Sequence, residues 1–120
     1  MKKIELGLIK GRHEMPVSDY IFEEIKDVTN TAWIELLAIE KLLKLFPEVS
    51  KSSEDPASYV LQDYADVGYF NYRGELVLYV TGLTVALIAV INACTTLGIR
   101  VEVMHFNSET QSYFSQKIIW

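Results

Sequence analysis

Leu76 to Ile99 runs for 24 positions without a charged residue. A stretch of that length can cross a bilayer as one helix, or it can be cut into two buried elements of a water-soluble domain. The residues favour the cut. Leu76-Val77-Leu78-Tyr79-Val80 is β-branched and aromatic, as a buried strand should be. Thr81-Gly82 supplies a turn and a helix-start signal, and Leu83 to Leu97 is an Ala- and Leu-rich helix that Gly98 ends. Asn92, Thr95 and Thr96 are also poor company for lipid. The expectation is therefore strand, turn, helix, with no membrane partner.

Around this unit the same reasoning places further elements. Lys3 to Ile9 alternates loosely and reads as a first strand, broken by the Gly11 to Pro16 segment. Ser18 or Asp19 is expected to cap a short helical turn over Tyr20–Ile25. Asn30 or Thr31 caps a longer helix reaching about Phe46. Its apolar positions Trp33, Leu36, Leu37, Ile39, Leu42, Leu43 and Phe46 recur at three- and four-residue steps, and Pro47 follows. Arg100 to Phe106 alternates as another strand, 107–111 is a turn, and Ser112 to Ile119 is a last, antiparallel strand.

Two strand-helix-strand units with a hairpin at the end define the expected fold class. It is a small Rossmann-like α/β sandwich with a central, mainly parallel sheet and a C-terminal β-hairpin edge. The 120 residues are expected to form one domain. Residues 48–74 are its least regular part, with Tyr59, Tyr64, Tyr69, Phe70 and Tyr72 crowded together and a short helix expected over Ala57–Ala65. A long irregular segment of this kind suits a lid or an interface arm, or a cover for the core edge.

Charge and cysteine content narrow the function. Eleven basic against sixteen acidic residues give a net charge of −5, which argues against duplex DNA as a partner. The single Cys94 allows neither an intrachain disulfide nor a Cys-rich zinc site. Glu5, Lys10, Arg12 and His13 interrupt the N-terminal apolar stretch, so a signal peptide is not expected and the cytoplasm is. His13, Glu14 and His105 do not have metal-ligand spacing, so no metal and no cofactor are expected.

In open α/β sheets the ligand crevice lies beyond the carboxyl ends of the parallel strands. Three polar sets fall there if the strands are parallel: Gly11-Arg12-His13-Glu14, Thr81-Gly82-Leu83-Thr84, and His105 with Asn107. Gly82 would let a ligand approach the backbone, and the first amides of the next helix favour an anion such as phosphate. Thr81 or Thr84 as an ordinary helix cap is the competing reading. Arg12 suits phosphate and His13 suits proton transfer near neutral pH, against the alternative of an exposed loop. His105 is either a site residue or a half-buried histidine satisfied by backbone. The helix from Leu83 is apolar on nearly every face, so it is expected to be buried all round, partly by a second subunit of a homodimer.

The run Val77 to Thr84, the long apolar helix, Val101 to Asn107 and the closing strand around Tyr113–Gln116 resemble the small CRISPR-associated CARF-type proteins. These bind cyclic oligoadenylate, and the related ring nucleases degrade it. The resemblance covers about the last 45 residues, plus the place of Gly11-Arg12-His13 after the first strand. It implies an antiviral-defence role and a homodimer with the cyclic nucleotide across its two-fold axis. It also implies phosphates held by the Thr81–Thr84 turn and either metal-independent phosphodiester transfer, with Arg12 and His13 as the catalytic residues, or sequestration of the ligand. A non-enzymatic interaction module, using the Tyr-rich 59–72 segment as its contact surface, is the alternative.

Overall fold

The computed structural model describes residues 2–11, 14–52 and 72–119. In chain order the elements are β1 (Lys3–Ile9), β2 (Tyr20–Phe22), α1 (Thr31–Leu45), α2 (Pro47–Ser52), β3 (Gly74–Tyr79), α3 (Thr84–Leu97), β4 (Ile99–Asn107) and β5 (Ser112–Ile119). The strands form one sheet in the order β2-β1-β3-β4-β5. The first four are parallel, and β5 runs antiparallel to β4. The mainly parallel α/β sheet and its closing hairpin are thus present. The Ala57–Ala65 helix lies outside the described residues.

The uncharged 24-residue run divides between β3 and α3, and β4 begins on its last residue, Ile99. No described helix is long and apolar enough to cross a membrane. Gly98 ends α3 at φ 72°, a left-handed conformation that suits glycine, and its N–H donates to the Cys94 carbonyl. Asn30 caps α1, its side chain accepting from the Trp33 N–H at 3.2 Å.

Both long helices cover one face of the sheet. Ile34, Ala38 and Leu42 of α1 join Ala86, Ala89, Val90, Ala93 and Cys94 of α3 in one core with Leu6, Leu8, Leu76, Leu78, Val101 and Val103. The cross-strand rows Leu6–Leu78–Val103 and Ile4–Leu76–Val101 therefore face the helices. The rows Glu5–Val77–Glu102 and Gly7–Tyr79–Met104 face the other way, because side chains alternate along a strand.

Three expectations are corrected. Tyr20–Phe22 is not a helical turn but the edge strand β2, paired with β1 at Gly7↔Tyr20 and Ile9↔Phe22. The Asp19 carboxylate accepts the adjacent Tyr20 N–H at 2.9 Å, which is not a helix cap, and the following residues extend into the sheet. The apolar stripe of α1 is narrower than its sequence period: Trp33 and Leu36 are more than half exposed. Nor is α3 buried all round, since Ile88 is 53% exposed and Thr84, Asn92, Thr95 and Thr96 face water beside it. The hydroxyls of Thr95 and Thr96 donate to carbonyls four residues back, which lets polar residues sit on an otherwise apolar helix.

The β1–β2 connection positions the site. Because β2 pairs only with the carboxyl half of β1, a loop can return the chain without a helix. This loop crosses the face opposite the helices. A Cβ on Gly7 would lie 2.4 Å from the Tyr20 ring and 3.0 Å from the Met15 sulfur, so Gly7 leaves the room in which both side chains rest. Further on, the Tyr113 hydroxyl of β5 reaches the Glu14 carbonyl at 3.4 Å.

Candidate functional site at the carboxyl edge

The strands β1, β3 and β4 are parallel, so their carboxyl ends share one edge of the sheet. Gly11, the Thr81–Thr84 turn and His105–Asn107 all lie along it. The chain leaves β1 toward β2 on one side, and leaves β3 toward β4 on the other. The connections therefore diverge between β1 and β3. In open α/β sheets such a switch point opens a crevice beyond the strand ends.

On the β3 side of that crevice the turn lacks the expected cap. The N-cap of α3 is Leu83, which offers no side-chain bond. Neither Thr81 nor Thr84 fills that role: Thr84 is the first helical residue and is exposed, and Thr81 precedes the cap. The Leu87 N–H donates to the Leu83 carbonyl at 3.2 Å, so the amides before it have no acceptor within the helix. The Thr81 Oγ1 is itself buried without a hydrogen-bond partner. Gly82 is exposed, and the space a Cβ would occupy there is open. The result is a polar turn with unused donors, an open approach and the positive end of a helix dipole.

His105 is on the helix side of the same edge, as its pairing with Phe114 in register with the Val103–Gln116 row requires. Its Nε2 pairs with the Gln116 Oε1 at 2.9 Å, and its ring stacks on Phe114 at 5.2 Å between centroids. The partner of this partly buried histidine is thus a side chain on the neighbouring strand, not the backbone. The Asn107 Oδ1 accepts the Glu109 N–H at 3.0 Å and so helps form the hairpin turn.

Glu14 lies on the other face. Its carbonyl meets Tyr113, and Tyr113 packs edge-on against Tyr79 and Phe106 with centroids 5.0 and 5.2 Å apart. The structure therefore brings His105 to the face of the β3–α3 turn, and brings Glu14 to the opposite face of the same edge. Arg12 and His13 lie outside the described residues. Gly11, at φ 88°, marks where the chain turns away from β1.

The aromatic group Tyr79–Phe106–Tyr113 was not legible as a unit in the sequence, because only the strand register joins it. Burial pushes the Tyr79 hydroxyl above its ordinary pKa, reinforced by Glu5, Tyr113 and Glu102. Burial likewise raises that of Tyr113, with Tyr20 adding to it. Both phenols therefore stay neutral near physiological pH. Cys94 is buried and its thiol is pushed up to about 12, which removes it as a nucleophile. No group of three His, Cys, Asp or Glu among the described residues is arranged to hold a metal ion. A separate groove of about 400 Å³ lies between the 24–27 segment and α1, with Ile25, Trp33, Ile34 and Leu37 in its walls.

No protein-family model, no curated protein and no solved structure matches this chain.

Proposed function

We propose that the chain binds a cyclic oligonucleotide messenger, cyclic oligoadenylate being the first choice, in the crevice at the carboxyl edge between β1 and β3. The observation that carries this reading is the β3–α3 turn. A helix start without a side-chain cap stands beside a buried, unpartnered threonine hydroxyl, at a sheet switch point. A phosphate oxygen there would accept from the amides of the first helical turn and from Thr81, and it would answer the helix dipole. Gly82 admits the ligand backbone closely. The aromatic neighbours His105 and Phe114 on the same face suit a nucleobase.

Arg12 and His13 belong to the same reading. Arg12 would pair with a second phosphate, and His13 would move a proton if the ligand is cleaved. Cleavage of this kind aligns a ribose 2′-hydroxyl on the adjacent phosphorus. The 2′-oxygen forms the new P–O bond, the 5′-oxygen leaves with a proton, and a 2′,3′-cyclic phosphate remains. Orientation and charge stabilisation supply much of the barrier reduction for such a step. The protein would work in the cytoplasm as a homodimer.

Thermal unfolding against a panel of cyclic tri-, tetra- and hexa-adenylates and cyclic dinucleotides tests the reading. A ligand at about a hundred times its dissociation constant adds about 2.7 kcal/mol, a shift of several degrees. The expected result is a shift with one member that is lost in Arg12→Ala/His13→Ala, with product analysis of the same mixture separating binder from nuclease. A folded protein that shifts with no member refutes the reading, and the Tyr-rich 59–72 interaction surface then takes its place.

A further inference from the structure

We infer that His105 is the proton acceptor of the site and that Gln116 holds it in the tautomer this role needs. The inference rests on the function proposed above. The observation is the cluster His105–Gln116–Phe114 on the helix side of the sheet. Val103↔Gln116 and His105↔Phe114 are paired positions of β4 and β5, so these side chains share that face. The register shift between Val101 and Glu102 lies outside this segment.

The imidazole is oriented by its neighbours on β5. Its ring stacks on Phe114, with 5.2 Å between centroids and 26° between planes. Its Nε2 lies 2.9 Å from the Gln116 Oε1. An amide oxygen only accepts, so Nε2 carries the proton. In the neutral ring one nitrogen donates and the other accepts, which leaves the accepting lone pair on Nδ1. His105 makes no other hydrogen bond among the described residues. Packing alone would account for the stack, but not for a ring held in one tautomer with its accepting nitrogen left over.

The ring also stands beside the β3–α3 turn. The Val80 N–H donates to the Met104 carbonyl at 3.1 Å, so the chain enters that turn next to His105. Neighbouring strands lie about 4.7–4.9 Å apart, so a ribose attached to a phosphate on the turn is within reach of the ring. Val80 on β3, Phe114 and Gln116 on β5 and every residue of α3 are uncharged. In the cleavage step Nδ1 takes the proton of the ribose 2′-hydroxyl. The 2′-oxygen forms the new P–O bond, the bond from phosphorus to the 5′-oxygen breaks, and the 5′-oxygen takes a proton from water. A 2′,3′-cyclic phosphate and a 5′-hydroxyl remain, and His105 returns its proton to solvent. His105 meets the reacting group, whereas Gln116 acts through His105 and is a positioning residue.

The tautomer is tested without ligand. Nitrogen NMR of the histidine rings, assigned with His105→Gln, should show the neutral His105 ring protonated at Nε2, and Gln116→Leu should mix the tautomers. The role is tested by single-turnover cleavage at saturating cyclic tri-, tetra- and hexa-adenylate. His105→Gln should lower the rate about 10²–10⁴-fold, the usual contribution of a general base. Gln116→Leu should lose part of that rate. Gln116→Glu should restore it while moving the acid limb of the pH–rate profile to higher pH, because a carboxylate beside the ring favours imidazolium. A purely structural Gln116 would leave that limb in place. Circular dichroism of the variants should match the parent, since Gln116 is exposed and His105 only partly buried. A ring protonated at Nδ1, parental cleavage in His105→Gln, or a Gln116→Glu profile that overlays the parent overturns the inference. A nucleotide that binds and is never cleaved also overturns it and leaves the binding reading standing, whereas no binding by any member sinks both.

Discussion

Gly7→Ala tests how the loop over the face opposite the helices is held. The added Cβ would stand 2.4 and 2.5 Å from two carbons of the Tyr20 ring, and 3.0 Å from the Met15 sulfur. Carbon atoms in contact settle at about 3.5–4.0 Å, so the ring must retreat by roughly 1 Å. Overpacking of this kind costs about 1–3 kcal/mol. Replacing glycine also restricts the unfolded chain, which returns about 0.4–1 kcal/mol where the backbone angles suit alanine. The net expectation is a loss of about 1–2 kcal/mol. For a chain between the small and medium size classes that corresponds to a Tm lower by about 4–8 °C. Thermal unfolding by circular dichroism measures it. The clash is with one ring, so Gly7→Ala should cost almost nothing in a Tyr20→Ala background, and the double-mutant cycle should report most of the single-variant loss as coupling. Nucleotide binding should weaken as well, because the displaced loop leads back to Gly11. A Tm equal to or above that of the parent, or an undiminished loss in the Tyr20→Ala background, would refute this account of the loop.

Thr81→Val exchanges a buried, unpartnered hydroxyl for a methyl group. It should leave stability unchanged or raise it by up to about 1 kcal/mol while weakening nucleotide binding, and a binding constant unaltered in that variant would remove Thr81 from the site. Leu78→Ala, at a fully buried position of the central strand, should cost about 2–5 kcal/mol in urea unfolding, and a cost below about 1 kcal/mol would contradict the packing of β3. Cys94 should resist a thiol-reactive disulfide at mildly alkaline pH in the native protein and react once urea unfolds it; rapid native reaction would contradict its burial. Asp19 is held below the usual carboxylate range, chiefly by its hydrogen bond to Lys41 at 3.1 Å. Its folded pKa lies below its unfolded one, so its contribution is present above the unfolded value and lost as pH falls through the folded one. With half of the side chain in water, Asp19→Asn should cost less than about 1 kcal/mol at neutral pH, and the difference from the parent should close in acid; a gap that widened in acid would reverse the sign.

What was legible in the sequence follows from how local each signal is. The cap at Asn30, the glycine stop at Gly98 and the alternation of Arg100–Phe106 in β4 are short-range signals, and each element is where they indicate. β2 was not legible because three residues are too few to show a period. Asp19 is a residue type that caps helices, but its carboxylate accepts from the adjacent Tyr20 N–H, and not from a donor two or three residues on as a helix cap does. Trp33 and Leu36 keep a helical period with the core residues of α1, yet the period does not reveal how wide a stripe the sheet will cover. At the site, the shared edge of Gly11, Thr81–Thr84 and His105–Asn107 follows from strand direction alone. The separation of Glu14 from His105 onto opposite faces depends on register, as does the gathering of Tyr79, Phe106 and Tyr113. A sequence pattern carries direction more readily than register, because one residue of slip exchanges the two faces.

The central claim is that an anionic nucleotide sits on the β3–α3 turn at the carboxyl edge. Amide NMR of isotope-labelled protein, titrated with the cyclic nucleotide that gives the largest thermal shift, addresses it directly. The account predicts that Gly11, Gly82, Leu83, Thr84 and Val85 move most, while Lys3, Gly74 and Gly98 at the opposite edge stay in place. Movement concentrated at the opposite edge, or no movement at Gly82–Val85, would contradict it.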